Sequence, residues 1–191
     1  MAHINVANGV PGIRSLVLFR PESGQCLYAL VQVLLRGDSP LSEAERELIA
    51  AYVSSRNECA FCMSSHAAAA RYLFKENEQV VDLVLEEYQS APVSNKLKAL
   101  LNIAGKVQQN GRLVSDSDVK AARDAGANDR DIHDTVLIAA AFSMLNRYVD
   151  GLATMTPTDP VAYAEMGKHL GDNGYVLPEQ QLEPQTPNPK P

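Results

Sequence analysis

Helical punctuation is what most restricts the fold of this 191-residue chain. Alternating apolar and polar runs bounded by turn residues, the mark of a half-buried strand, are missing apart from a possible short extended piece at residues 15–19. Instead, start and stop signals cut the sequence into segments with apolar residues at helical spacing. Residues 22–36 read as an amphipathic helix ended by Gly37 and Pro40, and Ser42 with Glu45 forms a capping-box pair at the start of the next. Asn57 is placed to cap a further helix running to about Lys75, and a shorter one over 77–89 precedes Pro92. Ser94 opens a segment that stops at Asn110-Gly111, and Ser115 with Asp118 opens one ending near Gly126. The longest periodic segment covers 129–152, and a last helix fits 160–170. The expectation is an all-α, single-domain helical bundle over residues 1–177. The proline-rich stretch 178–191 has little to bury and is expected to be disordered or laid as an arm on a neighbour.

Composition narrows the function classes. With 46% hydrophobic and 21% charged residues, the chain can bury one sizeable core. A net charge of −6 without a basic cluster argues against nucleic acid as a partner. No 18-residue uncharged apolar run and no basic-then-apolar start is present, so no membrane span and a cytoplasmic location are expected. Three cysteines are too few for a disulfide framework, and reducing surroundings suit a thiol site that must cycle.

The chemistry concentrates at NECAFCMSSHAAAARYLF. On a helix, Cys59, Cys62 and His66 share one stripe, because offsets of three, four and seven residues return to the same face. Two thiols and a proton acceptor then converge, the layout of a dithiol redox site in which one thiolate attacks and the other resolves the oxidised sulfur. Haem attachment is excluded because Met63, not His, follows the second cysteine. A thioredoxin-type motif needs a strand before it, and here both flanks are helical. A zinc site with Glu47 or His133 as fourth ligand stays open, although no second Cys/His pair is present.

The neighbours of this stripe act in both directions. An N-cap at Asn57 would put Cys59 in the first helical turn, where the backbone favours a thiolate, while Glu58 opposes it. Continuation of the stripe through Ala69 and Leu73 places the sulfurs against packed surface, which raises a thiol pKa and makes His66 useful as a base. Glu47 shares its helix flank with Ala44, Ala50, Ala51 and Ser54. It is either a buried carboxylate in need of a partner or a solvated one beside Glu43 and Arg46. Cys26, within QCLYALVQVLL, reads as a buried inert thiol. Arg147, beside Asn146 and Asp150, reads as an ion-paired structural residue or a site-lining one, and His133 as solvated. No Gly-rich phosphate loop or Gly-x-Ser-x-Gly elbow occurs.

The run Glu47-x11-Cys59-x-x-Cys62-x-x-x-His66 resembles the core signature of the alkyl hydroperoxidase D family within the carboxymuconolactone decarboxylase superfamily. The segment DIHDTVLIAAAFSMLNRYVDGLA, with its Asn146-Arg147 pair, is similar to the peroxidase-related branch, and together these cover much of 40–155. The resemblance implies a thiol peroxidase or disulfide reductase working without haem, flavin or metal. Position by position it implies Cys62 as the peroxide-attacking thiol, Cys59 as its disulfide partner, and His66 with Glu47 as the proton relay. It further implies a peroxide substrate, an external dithiol or protein reductant, and a homo-oligomer, for which the broadly apolar TVLIAAAFSMLNRYV offers a surface. Phe61 stands where the best characterised members carry a histidine. Decarboxylase members typically lack the cysteine pair; acid–base chemistry by His66 and Glu47 alone is the alternative activity.

Overall fold

A computed structural model describes residues 1–176, and among them the chain forms nine α-helices and no strand. In order these are α1 (Gly12–Phe19), α2 (Pro21–Arg36), α3 (Glu43–Arg56), α4 (Ala60–Phe74), α5 (Gln79–Glu87), α6 (Asn95–Gln109), α7 (Asp116–Asp124), α8 (Asp129–Gly151) and α9 (Pro160–Asn173). The expected all-α class holds. The proline-rich stretch 178–191 lies outside the described residues.

Local capping chemistry accounts for most of the boundaries. Pro21 occupies the first turn of α2, where its missing N–H costs no hydrogen bond. Reciprocal capping boxes open α3 (Ser42 with Glu45), α7 (Ser115 with Asp118) and α8 (Asn128 with Asp131). Ser94 caps α6 by accepting from the Leu97 N–H.

α3 is the axis of the core. Leu48, Ile49, Ala50, Ala51 and Val53 are fully buried, and α4, α6 and α8 pack around this helix. α4 brings its narrow run Ala67–Ala68–Ala69–Ala70, all buried, against α9. A Cβ added to Gly167 of α9 would lie 2.5 Å from the Ala68 carbonyl carbon, so the two helices meet backbone to backbone. Gly167→Ala is therefore expected to force α9 outward and destabilise the fold by about 1–3 kcal/mol, read as a fall in the urea midpoint. An unchanged midpoint would show that the contact is loose.

Three local expectations need correction. The piece at 15–19 is helical, part of α1, because Leu16 and Val17 are buried by packing, which outweighs the strand preference of a short apolar run. Asn57 does not cap α4. It ends α3, and its amide is held on both sides: its Nδ2 donates to Asn146 Oδ1 (2.8 Å), and Gln108 Nε2 donates to its Oδ1 (2.8 Å). The chain then turns through Glu58 at φ 60°, and Cys59 itself takes the N-cap position. Cys26 is exposed, not buried. It lies two turns before Val33, itself 64% exposed, on the outward face of α2, while Val31, Leu34 and Leu35 face the core.

Among the described residues Arg147 has no ion-pair partner and does not line the cavity; it is exposed and donates to the Ser143 carbonyl of its own helix (2.7 Å). Its neighbour Asn146 is the structural residue, buried and donating to Ser54 Oγ (3.0 Å) while accepting from Asn57. Leu137 and Met144 of α8 are partly exposed, at 37% and 47%. His133 is exposed, as expected, with its Nδ1 2.9 Å from Asp134 Oδ1. No helix among the described residues is long and apolar enough to cross a membrane.

Candidate active site

The start of α4 sets the two thiols apart. Because Cys59 is the N-cap, Cys62 is the residue in the first turn, where the unpaired amides of the helix start lie. The first-turn position expected for Cys59 thus belongs to Cys62. Both are free thiols in one small buried cluster with Phe61 and Val149. A hydrogen bond to Cys62, followed by burial, pushes the Cys59 thiol far above its ordinary value.

Cys62 also faces a space that Cys59 does not. A cavity of about 180 Å³ reaches Cys62 and His66, and Cys59 is not on its wall. The wall is mainly apolar, with Leu27 and Val31 from α2, Phe142 and Leu145 from α8, and Met166 and Leu170 from α9. Arg14 and His169, both exposed, supply polar edges.

One turn beyond Cys62, His66 is 8% exposed and its Nδ1 lies 2.7 Å from Glu47 Oε2. Of the two readings of Glu47, the buried one is correct: the residue has no exposed surface. Its charge is met from three sides. Arg36 Nη2 donates to Oε1 (2.6 Å), the Tyr175 hydroxyl donates to the same oxygen (2.7 Å), and His66 meets Oε2. Burial works against the carboxylate, but His66, Arg36 and Tyr175 together hold its pKa below the ordinary glutamate value. Arg36 is fixed in turn by donating to the Leu170 carbonyl (3.0 Å) and by lying over the Tyr175 ring, 5.2 Å from its centroid.

All four residues marked in the sequence therefore come together, on α3, on α4 and at the N-cap of α4. Arg36 and Tyr175 were not marked. Arg36 reads locally as an ordinary basic residue in the last turn of α2, where it suits the helix dipole. Tyr175 follows Gly174 beyond α9, outside any periodic segment, and no local signal points to it. Of the zinc ligands considered, Glu47 is engaged by Arg36, Tyr175 and His66, and His133 stands on an exposed face. Among the described residues no group of three or more His, Cys, Asp or Glu side chains converges to hold a metal.

The sequence model of the carboxymuconolactone decarboxylase family matches residues 21–106, which include Arg36, Glu47, both site cysteines and His66. Among solved structures, an uncharacterised peroxidase-related protein from a Silicibacter species is 32% identical with a TM-score of 0.73, the match covering 81% of this chain and 79% of that one. A peroxidase-related protein with an alkylhydroperoxidase AhpD core from Ralstonia eutropha is 28% identical, TM-score 0.74, covering 85% and 83%. An Agrobacterium tumefaciens protein of unknown function at 21% identity and TM-score 0.68 shares the fold over 83% of this chain and all of its own length. No curated protein matches. The chain belongs to the AhpD-like, peroxidase-related part of the carboxymuconolactone decarboxylase superfamily.

Proposed function

We propose that the protein is a dithiol peroxidase that reduces compact organic hydroperoxides, with Cys62 as the attacking thiolate, Cys59 as the resolving thiol and His66, oriented by Glu47, as the base. The observation that carries this reading is the asymmetry of the pair: Cys62 lines an apolar cavity together with His66, while Cys59 lies behind it with no exposed surface.

His66 takes the Cys62 proton. The thiolate then attacks the terminal oxygen of ROOH, the O–O bond breaks, and Cys62 becomes a sulfenic acid. The departing alkoxide recovers the proton from the imidazolium and leaves as ROH. The Cys59 thiol attacks the Cys62 sulfur, forming the disulfide and releasing water. An external dithiol restores both thiols by exchange and is itself oxidised. Dithiol peroxidase chemistry also fits the family's peroxidase-related members, and antioxidant defence is the role it would serve. A cytoplasmic setting, where thiols are kept reduced, suits the cycle.

The cavity bears on the substrate. An apolar cavity of roughly 150 Å³ holds a benzene ring, so the space beside Cys62 suits a hydroperoxide carrying one ring or a short branched chain. Cumene hydroperoxide is expected to surpass hydrogen peroxide in kcat/KM by at least about tenfold, since its apolar group is buried as it binds. The decisive test is intact-mass thiol counting after one equivalent of cumene hydroperoxide is added to reduced protein. Two of the three thiols should become unalkylatable at once, with exposed Cys26 remaining. Three surviving thiols would remove peroxide chemistry, and lactone turnover that persists without either site cysteine would establish acid–base catalysis by His66 and Glu47 instead.

A further inference from the structure

Tyr175 arrives at the site from the far end of the described chain, and its placement is built in detail. Its N–H donates to Gln32 Oε1 (2.7 Å). The preceding Gly174, at φ +67°, leaves room for that latch, since a Cβ there would lie 2.6 Å from the same Gln32 oxygen. The ring stacks on His66 (6.0 Å between centroids, 19° between planes) and meets Tyr28 edge-on (6.5 Å).

The hydroxyl adds something that ring packing does not need. It lies 2.7 Å from Glu47 Oε1 and 3.1 Å from His66 Nδ1. A phenol has one hydrogen to give. If that hydrogen went to Nδ1, an unprotonated ring nitrogen would face Glu47 Oε2 at 2.7 Å with no proton between them, two lone pairs in repulsion. The phenol therefore donates to Oε1, Nδ1 carries its own hydrogen to Oε2, and the lone pair of the neutral imidazole is left on Nε2. With Arg36 on Oε1 as well, the carboxylate cannot rotate, and His66 is held in one tautomer and one orientation.

We infer that Tyr175 is a positioning residue of this site, whose hydroxyl shares the charge of Glu47 and fixes His66 as the Nδ1–H tautomer with Nε2 free to take the Cys62 proton. The last clause rests on the peroxidase reading; the tautomer and its control by Tyr175 do not. The phenol is itself no proton carrier, because burial and the nearby Glu47 charge hold it protonated. The groups that bear on His66 are Arg36 and Tyr28 of α2, Glu47 of α3, Cys62 of α4 and Tyr175, with Arg14 of α1 and His169 of α9 around the cavity.

The test uses full-length protein and Tyr175→Phe, which keeps the ring on His66, Tyr28 and Arg36 and deletes one oxygen. Nitrogen-15 NMR of the His66 imidazole across pH reads the tautomer and the titration directly, whether or not peroxide is turned over. In the phenylalanine variant the Glu47 charge is no longer shared with the phenol, so the imidazolium is favoured and the His66 titration should move upward by about half a pH unit or more. Cumene hydroperoxide turnover should fall about tenfold in kcat with little change in KM, and its acidic limb should move to higher pH. A His66 titration and tautomer identical in the two folded proteins would overturn the inference even if both were good peroxidases. Wild-type protein without peroxidase activity would instead sink the functional reading, and the NMR comparison would still decide the role of Tyr175. Should Tyr175→Phe fold poorly, Gln32→Ala releases the latch without touching the phenol; it should move the titration the same way, and no movement there overturns the inference.

Discussion

Glu47→Ala should cost about 3–5 kcal/mol of stability as well as most of the activity, because it strips the nearer and buried counter-charge from a buried arginine. The Arg36 side chain is only 7% exposed, and Glu47 accepts its shortest hydrogen bond, 2.6 Å. Without the carboxylate, Arg36 keeps its charge with only the more distant, half-exposed Glu43 (3.7 Å) to meet it, and both His66 Nδ1 and the Tyr175 hydroxyl lose their acceptor. The same carboxylate makes the wild type sensitive to acid. Its pKa in the folded protein lies below the ordinary value of 4.5, so the stabilisation is complete above that value and drains away as pH falls further toward the folded one. Thermal melts between about pH 7 and pH 3 check both parts. The wild type should lose melting temperature steeply below about pH 4.5, and Glu47→Ala, already low, should decline less over the same interval. Parallel decline of the two proteins would mean that Glu47 is not the group responsible.

Cys62→Ser is expected to lower hydroperoxide turnover by at least about a thousandfold, since a serine hydroxyl at neutral pH offers neither a thiolate nor a sulfur to oxidise. Cys59→Ser should fail differently. Its first oxidation should proceed at close to the wild-type rate and halt at the sulfenic acid, which no thiol is positioned to trap. Rapid-mixing kinetics, with a sulfenic-acid-selective nucleophile followed by mass spectrometry, separate the two: one equivalent of adduct in Cys59→Ser and none in Cys62→Ser. Adduct on Cys59 in the Cys62→Ser protein would reverse the assignment of roles.

Much of this arrangement was legible because its determinants are local. Ser42 with Glu45, Ser94, and Ser115 with Asp118 declare helix starts through bonds spanning three residues. Cys62 and His66 meet because they are four residues apart on one helix. Glu47 was ambiguous for a physical reason: small neighbours permit burial without requiring it, and only the arrival of His66, Arg36 and Tyr175 decides the matter. The unmarked partners are the long-range ones. Tyr175 reaches Glu47 across 128 positions, and Arg36 gains its role from the Leu170 carbonyl 134 positions away. Asn57 misled because its capping preference is real but is overridden by the amides of Gln108 and Asn146, which come from helices far along the chain. Cys26 misled because apolar neighbours describe a helix as a whole, whereas exposure depends on which side of it a residue occupies.

The order of the site's parts along the chain has a consequence for biosynthesis. Cys59 and Cys62 leave the ribosome well before Phe142, Leu145, Met166 and Leu170, which wall the cavity beside them, and before Tyr175. At roughly 5–20 residues per second, several seconds of translation pass between the two thiols and the last of these residues. The surroundings of the two cysteines are thus completed only at the end of synthesis, when α8, α9 and Tyr175 join residues made long before.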